Sequence, residues 1–180
     1  MIYTEITPNP AALKFVTQKI LLRKGSADFP NVEAAADSPL ALQLFEFAFV
    51  KGVFISANFV SVTKDEETAW ETAIPVIKKA MTSFFETERP IINGLEEEDE
   101  APVEEDETVR RIKQLLDDNI RPAVAMDGGD VIFESFIDGV VKLKMQGACS
   151  GCPSSTQTLK MGIEGLLTRM VPGVTTVESA

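Results

Sequence analysis

The stretch VIFESFIDGVVKLKMQGACSGCPSST, residues 131–156, decides the fold of the C-terminal half of the chain. β-branched and aromatic residues lie on both sides of Asp138-Gly139, a dipeptide suited to a two-residue turn of the primed type. After that turn, Val141, Leu143 and Met145 alternate with polar residues. This alternation predicts a hairpin with one packed face and one face in water.

Helices are predicted on both sides of the hairpin. The first has Thr108 as its N-cap and is limited by Pro122, and its apolar face has the spacing of one buried helical stripe. That face consists of Val109, Ile112, Leu115, Leu116 and Ile120. The second begins near Pro153, and after a turn at Pro172-Gly173 a last short strand follows. The predicted order is therefore helix, strand, strand, helix, strand.

An acidic stretch separates this half from the rest of the chain. LEEEDEAPVEEDE, residues 95–107, holds nine of the 28 acidic residues and none of the 17 basic ones, so the remainder has a net charge of only −2. Dense like charges repel one another, and the stretch has few apolar residues to bury. We predict a flexible linker between an N-terminal domain, residues 1–94, and a C-terminal domain, residues 108–180.

The N-terminal half also predicts an α+β domain. Strands are expected in IYTEI and LKFVTQKILL, and two more strands, or one bent strand, in GVFISANFVSVTK. One helix is expected after Ser38 as N-cap, with Pro39 at its first position, and another from Trp70 with Thr68 as cap. Residues 1–94 contain no cysteine, histidine or glycine-rich phosphate loop. Binding is therefore a better expectation for this domain than catalysis.

Composition excludes several classes of function. No apolar run is long enough to span a membrane, and residues 108–180 hold eight basic and eight acidic residues, so we expect neither a membrane nor a nucleic acid as partner. The first ten residues, MIYTEITPNP, resemble neither a signal peptide nor a transit peptide. We expect a bacterial cytoplasmic protein, with a mature mitochondrial matrix protein as the second interpretation.

Cys149 and Cys152 are the two cysteines of the chain, which has no histidine, and they lie where a strand ends and a helix begins. In a reducing compartment such a pair is more often reactive or metal-binding than a structural disulfide. Glycines on both sides make the segment a poor core, which argues against two inert buried thiols. Asp127, Gly128 and Gly129 are expected to shape the preceding loop and not to bind metal.

Three chemistries remain open for the pair. Structural zinc takes about four ligands, so one chain cannot complete a site, although two chains could hold zinc in a structural adaptor. A thiol–disulfide oxidoreductase would place its dithiol at a similar junction, but in a βαβ unit and not after a hairpin. An iron–sulfur cluster usually takes four thiolates, which two copies of the loop would supply.

The residues also resemble a known family. Residues 108–180 are similar to the C-terminal domain of the NifU family, the Nfu-type iron–sulfur scaffold and carrier proteins, in RPAVAMDGGDV and GACSGCPSST. Residues 1–94 resemble the N-terminal domain that accompanies this module, in TPNPAALKF and in KGVFISANFVSVTK followed by Trp70.

The resemblance implies a non-enzymatic role. Cys149 and Cys152 would bind a [4Fe-4S] cluster, with a [2Fe-2S] form also allowed, between the two chains of a homodimer. The protein would receive the cluster from an upstream assembly scaffold or donor and deliver it to recipient apo-proteins. The N-terminal domain would select partners or restrain the cluster domain.

Overall fold

The computed structural model describes residues 1–94, 106–150 and 153–179, and of residues 153–156 it describes the backbone alone. The described residues form two compact units, and the division between the units falls within the acidic stretch. Each unit has its own sheet and its own hydrophobic core, and both contain helices, which confirms the α+β class. Residues 95–105 of the predicted linker lie outside the described residues, whereas Asp106 and Glu107 cap and begin a helix.

Within residues 1–94, the first unit contains an antiparallel sheet in the order β1-β2-β5-β4-β3. The strands are β1 (Ile2–Ile6), β2 (Ala12–Thr17), β3 (Ser26–Phe29), β4 (Val50–Ser56) and β5 (Phe59–Lys64). β4 and β5 are two separate strands around Ala57-Asn58. Sequence reasoning missed β3, since SADF is a short edge strand with two polar residues and no clear alternation.

The helices of this unit are α1 (Pro39–Phe45) and α2 (Trp70–Glu86). The buried side chains of both helices join one core with the sheet, and its largest members include Phe15, Leu40, Leu44, Ile55, Ile77, Met81 and Phe84. α2 begins at Trp70 as predicted, but the prediction that Thr68 caps it is wrong. Ala69 is the N-cap, and the Thr68 N–H instead donates to Asp65 Oδ1 at 2.9 Å.

Ser38 caps α1, as predicted, and also bonds the segment that follows α2, at Ile91. Its buried Oγ accepts a bond from the Ala41 N–H at 3.2 Å and donates to the Ile91 carbonyl at 2.8 Å. Replacing Ser38 by alanine removes both bonds and leaves the Ala41 N–H and the Ile91 carbonyl without this hydrogen-bond partner. We therefore expect a loss of about 1–2 kcal/mol in unfolding free energy. Urea unfolding followed by the fluorescence of Trp70, the single tryptophan, measures this in the first unit alone.

The matched control is Ser83→Ala, the same substitution at an exposed position of α2. Its expected effect on unfolding is within about 0.5 kcal/mol. Equal losses for Ser38→Ala and Ser83→Ala would contradict the double role of the Ser38 hydroxyl.

The second unit contains the predicted order of elements. Its helices are α3 (Glu107–Leu115), α4 (Arg121–Met126) and α5 (Pro153–Met170), and its strands are β6 (Gly129–Ile137), β7 (Val140–Gly147) and β8 (Thr176–Ser179). β6 and β7 pair antiparallel as the predicted hairpin, and β8 pairs parallel with β7. Asp138 and Gly139 both have positive φ, as a primed turn requires.

Two details of the first helix of this unit differ from the prediction. Its N-cap is Asp106, whose Oδ1 accepts the Thr108 N–H at 2.8 Å, so the assignment of Thr108 as cap is wrong. Pro122 does not end the helix either, because a π-helical turn at Leu116–Ile120 connects α3 to α4. Pro122 then lies in the first turn of α4, where a missing N–H costs little.

Glu164 holds β8 against α5. Its Oε2 accepts the Val177 N–H at 2.9 Å and the Thr176 hydroxyl at 2.8 Å. These bonds favour the ionised carboxylate and lower the pKa of Glu164 below its ordinary value of 4.5. The stability that they contribute is therefore complete above pH of about 4.5 and is lost as the pH falls through the lower folded-state pKa.

We expect Glu164→Gln to weaken the acid dependence of the second unit's stability. The amide oxygen still accepts a hydrogen bond but carries no charge to lose. Urea unfolding by far-UV circular dichroism at neutral pH and at about pH 3 measures the effect, once the transition that Trp70 fluorescence assigns to the first unit has been separated. Glu134→Gln, at an exposed position of β6, is the control and should keep the wild-type pH profile, while an unchanged profile in Glu164→Gln would contradict the assignment.

Candidate functional site

The candidate site is the loop between β7 and α5, the junction predicted from the sequence. β7 ends at Gly147 and α5 begins at Pro153, so both cysteines lie in the connection. Gly147 has a φ of 68°, and the Ser150 N–H bonds to the Gly147 carbonyl at 3.0 Å. The Ala148 N–H bonds to the Gly128 carbonyl at 3.1 Å. Residues 147–150 therefore form a tight turn attached to the chain just before β6.

Cys149 points into the protein in this turn. The residue is 2 % exposed and belongs to the hydrophobic core of the second unit. The expectation that flanking glycines would keep the cysteines out of the core is thus wrong for Cys149. The reason is that the positive φ of Gly147 and the attachment to Gly128 turn the Cys149 side chain inward.

Gly129 provides the space for the Cys149 side chain. A Cβ added to Gly129 would lie 2.9 Å from Cys149 Sγ and 2.5 Å from the Gln146 carbonyl oxygen. Both distances are too short for real atoms, so the thiol lies directly against the backbone of β6. This close approach of Cys149 Sγ to the backbone requires glycine at position 129.

Cys152 lies outside the described residues, as do the side chains of Ser154, Ser155 and Thr156. The predicted pairing of Cys152 with Cys149, and the predicted hydroxyl caps, therefore remain predictions. Cys152 precedes the first residue of α5 in sequence. Among the described residues, no group of three or more His, Cys, Asp or Glu side chains is placed to hold a metal ion.

Asp127, Gly128 and Gly129 shape the connection from α4 to β6, as expected. Asp127 is the C-cap of α4, and its N–H bonds to the Ala123 carbonyl at 3.3 Å. Gly128 has a φ of 82°, which favours glycine, and Gly129 begins β6 opposite Gly147.

Sequence reasoning missed an ion pair next to this connection. Asp130 is buried, and its two carboxylate oxygens accept bonds from Arg121 Nε at 2.9 Å and Arg121 Nη2 at 2.7 Å. Arg121 Nη1 also donates to Asp117 Oδ1 at 3.0 Å, on the surface. Hydrogen bonding to Asp130 is the main cause that raises the pKa of Arg121 above its usual range. The nine-residue separation of Arg121 and Asp130 has no helical or strand period that could have indicated the pair.

Comparison with known proteins identifies the family. Residues 2–88 match the family described as "Scaffold protein Nfu/NifU N terminal", and residues 112–178 match the "NifU-like domain". The human protein named "NFU1 iron-sulfur cluster scaffold homolog, mitochondrial" is 47 % identical over 179 residues, which cover 98 % of this chain and 70 % of the human protein. The chain belongs to the Nfu/NifU family.

Two further relatives of this Nfu/NifU chain extend the comparison. The Drosophila sechellia protein of the same name is 44 % identical over 180 residues, which cover 98 % of this chain and 64 % of the fly protein. "NifU-like protein 4, mitochondrial" of Arabidopsis thaliana is 45 % identical over 183 residues, covering 98 % and 65 % respectively. The chain therefore spans just under two thirds of the length of the fly relative.

The names of these relatives contradict the expected location. All three are named mitochondrial, so the expectation of a bacterial cytoplasmic protein is wrong by this comparison. That expectation relied on the first ten residues of a sequence that spans only part of its relatives. No helix in the described part of the chain is both long and apolar enough to cross a membrane.

Proposed function

We propose that this Nfu/NifU chain is an iron–sulfur cluster scaffold and carrier. It binds a [4Fe-4S] cluster between two chains through Cys149 and Cys152 and passes the cluster to recipient apo-proteins. The observation that carries the proposal is the position of the dithiol, directly before α5 in the unit that matches the NifU-like domain. The relatives' names, which include "iron-sulfur cluster scaffold", support the same role.

The number of ligands supports a dimer. Iron–sulfur clusters in proteins usually take four cysteine thiolates, and this chain has two cysteines and no histidine. Two chains together supply four thiolates. Each chain then holds half of the cluster's protein ligands, so a recipient's thiols can replace them in steps. Such a cluster is cargo and not a permanent cofactor.

The start of α5 supports binding of anionic ligands. The N-terminal end of an 18-residue helix carries partial positive charge and N–H groups without intrahelical partners. Thiolates beside that end are stabilised relative to thiols, which favours metal binding at neutral pH.

The first unit is proposed to bind partners. Residues 1–94 contain no cysteine or histidine, so they offer neither a thiolate nor an imidazole to a cluster. The acidic linker, residues 95–107, joins the first unit to the cluster domain, residues 108–180. When the first unit is docked on a recipient, the linker would therefore raise the effective concentration of the cluster near that recipient.

Two other functions use the same residues. In a thiol–disulfide oxidoreductase, Cys149 or Cys152 would be the nucleophile and the other would resolve the mixed disulfide. The burial of Cys149 would leave Cys152 as the nucleophile and Cys149 as the resolving thiol, because a nucleophilic thiol needs access to its substrate. In a structural adaptor, the four thiolates of two chains would hold zinc.

Anaerobic reconstitution with iron and sulfide separates the three functions. The carrier should take up about four irons per dimer and restore activity to an apo-enzyme that needs a [4Fe-4S] cluster, with no more than about one cluster delivered per dimer. Reduction of insulin disulfides by protein that takes up no iron would support the oxidoreductase. Bound zinc with no cluster after reconstitution would support the adaptor.

A further inference from the structure

Burial of Cys149 conflicts with direct loading of iron. The sulfur lies in a core that includes Val131, Leu143 and Ile163, and the whole residue is 2 % exposed. A cluster shared with a second chain needs open space on at least one side of each ligating sulfur. In the described geometry the thiol is therefore sheltered and not open to iron.

Three features build this shelter. Gly129 leaves the space that a Cβ would fill, with Cys149 Sγ 2.9 Å from that position. The turn bond from Ser150 to Gly147 directs the Cys149 side chain inward. The bond from Ala148 to Gly128 attaches the turn to the α4–β6 connection.

The Arg121–Asp130 ion pair stabilises the chain segment against which Cys149 packs. Asp130 directly follows Gly129, and its Oδ1 also accepts the Val131 N–H at 2.8 Å. Arg121 is the first residue of α4, so its two bonds to Asp130 join the start of α4 to the start of β6. Arg121 precedes residues 127–129 in the chain and Asp130 follows them. The turn at residues 147–150 contacts this segment at Gly128 and Gly129.

We propose that Gly129 and the Arg121–Asp130 ion pair are positioning residues that keep the Cys149 thiol sheltered until loading, when the turn at residues 147–150 separates from Gly128 and Gly129. This inference rests on the proposed function. Its consequence is a delay in oxidation of Cys149, including disulfide formation with Cys152, while the protein carries no cluster.

Alkylation of the cluster-free protein tests the shelter without iron. Reduced wild-type protein is treated with iodoacetamide, and peptide mapping gives the rate at each cysteine separately. Cys149 should react on the order of 100-fold more slowly than the same cysteine in a synthetic peptide of residues 145–156 in the same buffer, because a buried thiol reacts only after local opening. Equal rates in protein and peptide would overturn the proposal.

Two carboxylates that bond the same arginine provide matched variants. Asp130→Asn weakens the buried contact, and Asp117→Asn weakens the exposed one, with the same change of charge. Asp130→Asn should speed alkylation of Cys149 by at least about tenfold, and Asp117→Asn by less than about twofold. Gly129→Ala, whose methyl group needs the space of the sulfur, should also speed it. Unchanged rates in Asp130→Asn and Gly129→Ala would overturn the positioning role.

A further variant separates positioning from general loss of stability. Val177→Ala truncates a buried residue of β8 and lowers the denaturant midpoint of the same unit. When the two variants have lost the same amount in denaturant midpoint, Cys149 should be alkylated more slowly in Val177→Ala than in Asp130→Asn. Equal acceleration in the two variants would overturn the positioning role. If Cys149 alkylates slowly but the protein never takes up iron, the proposed function is wrong and the sheltering of Cys149 is still supported.

Discussion

Replacing either Cys149 or Cys152 by serine is expected to abolish cluster binding. In a symmetric dimer each substitution removes two of the four thiolates at once. A serine hydroxyl does not deprotonate near neutral pH and is a hard ligand, whereas iron–sulfur clusters are held by thiolates. Iron content after anaerobic reconstitution should fall from about four per dimer to less than about a tenth of that, with loss of the visible absorption of the cluster.

The control for these variants is Ser150→Ala. Ser150 lies between the two cysteines and is exposed, so the loop is disturbed without loss of a thiolate. This variant should bind iron as the wild type does. Retention of the full cluster by Cys149→Ser would show that Cys149 is not a ligand and would contradict the proposed site.

Replacing Asp130 by alanine is expected to cause a large loss of stability in the second unit. Arg121 would lose a two-bond partner, and the Val131 N–H would lose its bond to Oδ1. Removal of one partner from a fully buried ion pair costs about 3–5 kcal/mol, and partial exposure of Arg121 reduces the expected loss to about 2–3 kcal/mol. Urea unfolding followed by far-UV circular dichroism measures it.

Two controls belong to the Asp130 experiment. Asp117→Ala removes the exposed contact of Arg121 and should cost less than about 1 kcal/mol. Trp70 reports on the first unit, so its unfolding transition should not move in either variant. A similar cost for Asp117→Ala and Asp130→Ala would contradict the distinction between the buried and exposed contacts.

Local patterns in the sequence predicted most of the fold. The hairpin followed from alternation around Asp138-Gly139, and α1 followed from Ser38 and Pro39, because both signals are local. The fate of Pro122 was not predictable in this way. Whether a proline ends a helix depends on the turn before it, and the π-helical turn at Leu116–Ile120 leaves no periodic signal.

The candidate site was predictable in position but not in geometry. The two cysteines and the strand-to-helix junction were readable, since spacing and turn residues define them. The inward orientation of Cys149 was not, because it depends on contact with Gly129, twenty residues earlier in the chain. The Arg121–Asp130 pair likewise forms only when α4 and β6 meet. Contacts of this kind arise from tertiary packing and not from local pattern.

The most direct test of the account is the molar mass of the cluster-loaded protein. Size-exclusion chromatography with light scattering under anaerobic conditions, combined with iron analysis, should show a monomer without cluster and a dimer with about four irons when loaded. The expected dimer should dissociate when a chelator removes the cluster. A loaded protein that remains a monomer, with no external thiol bound, would contradict the claim that two chains share one cluster.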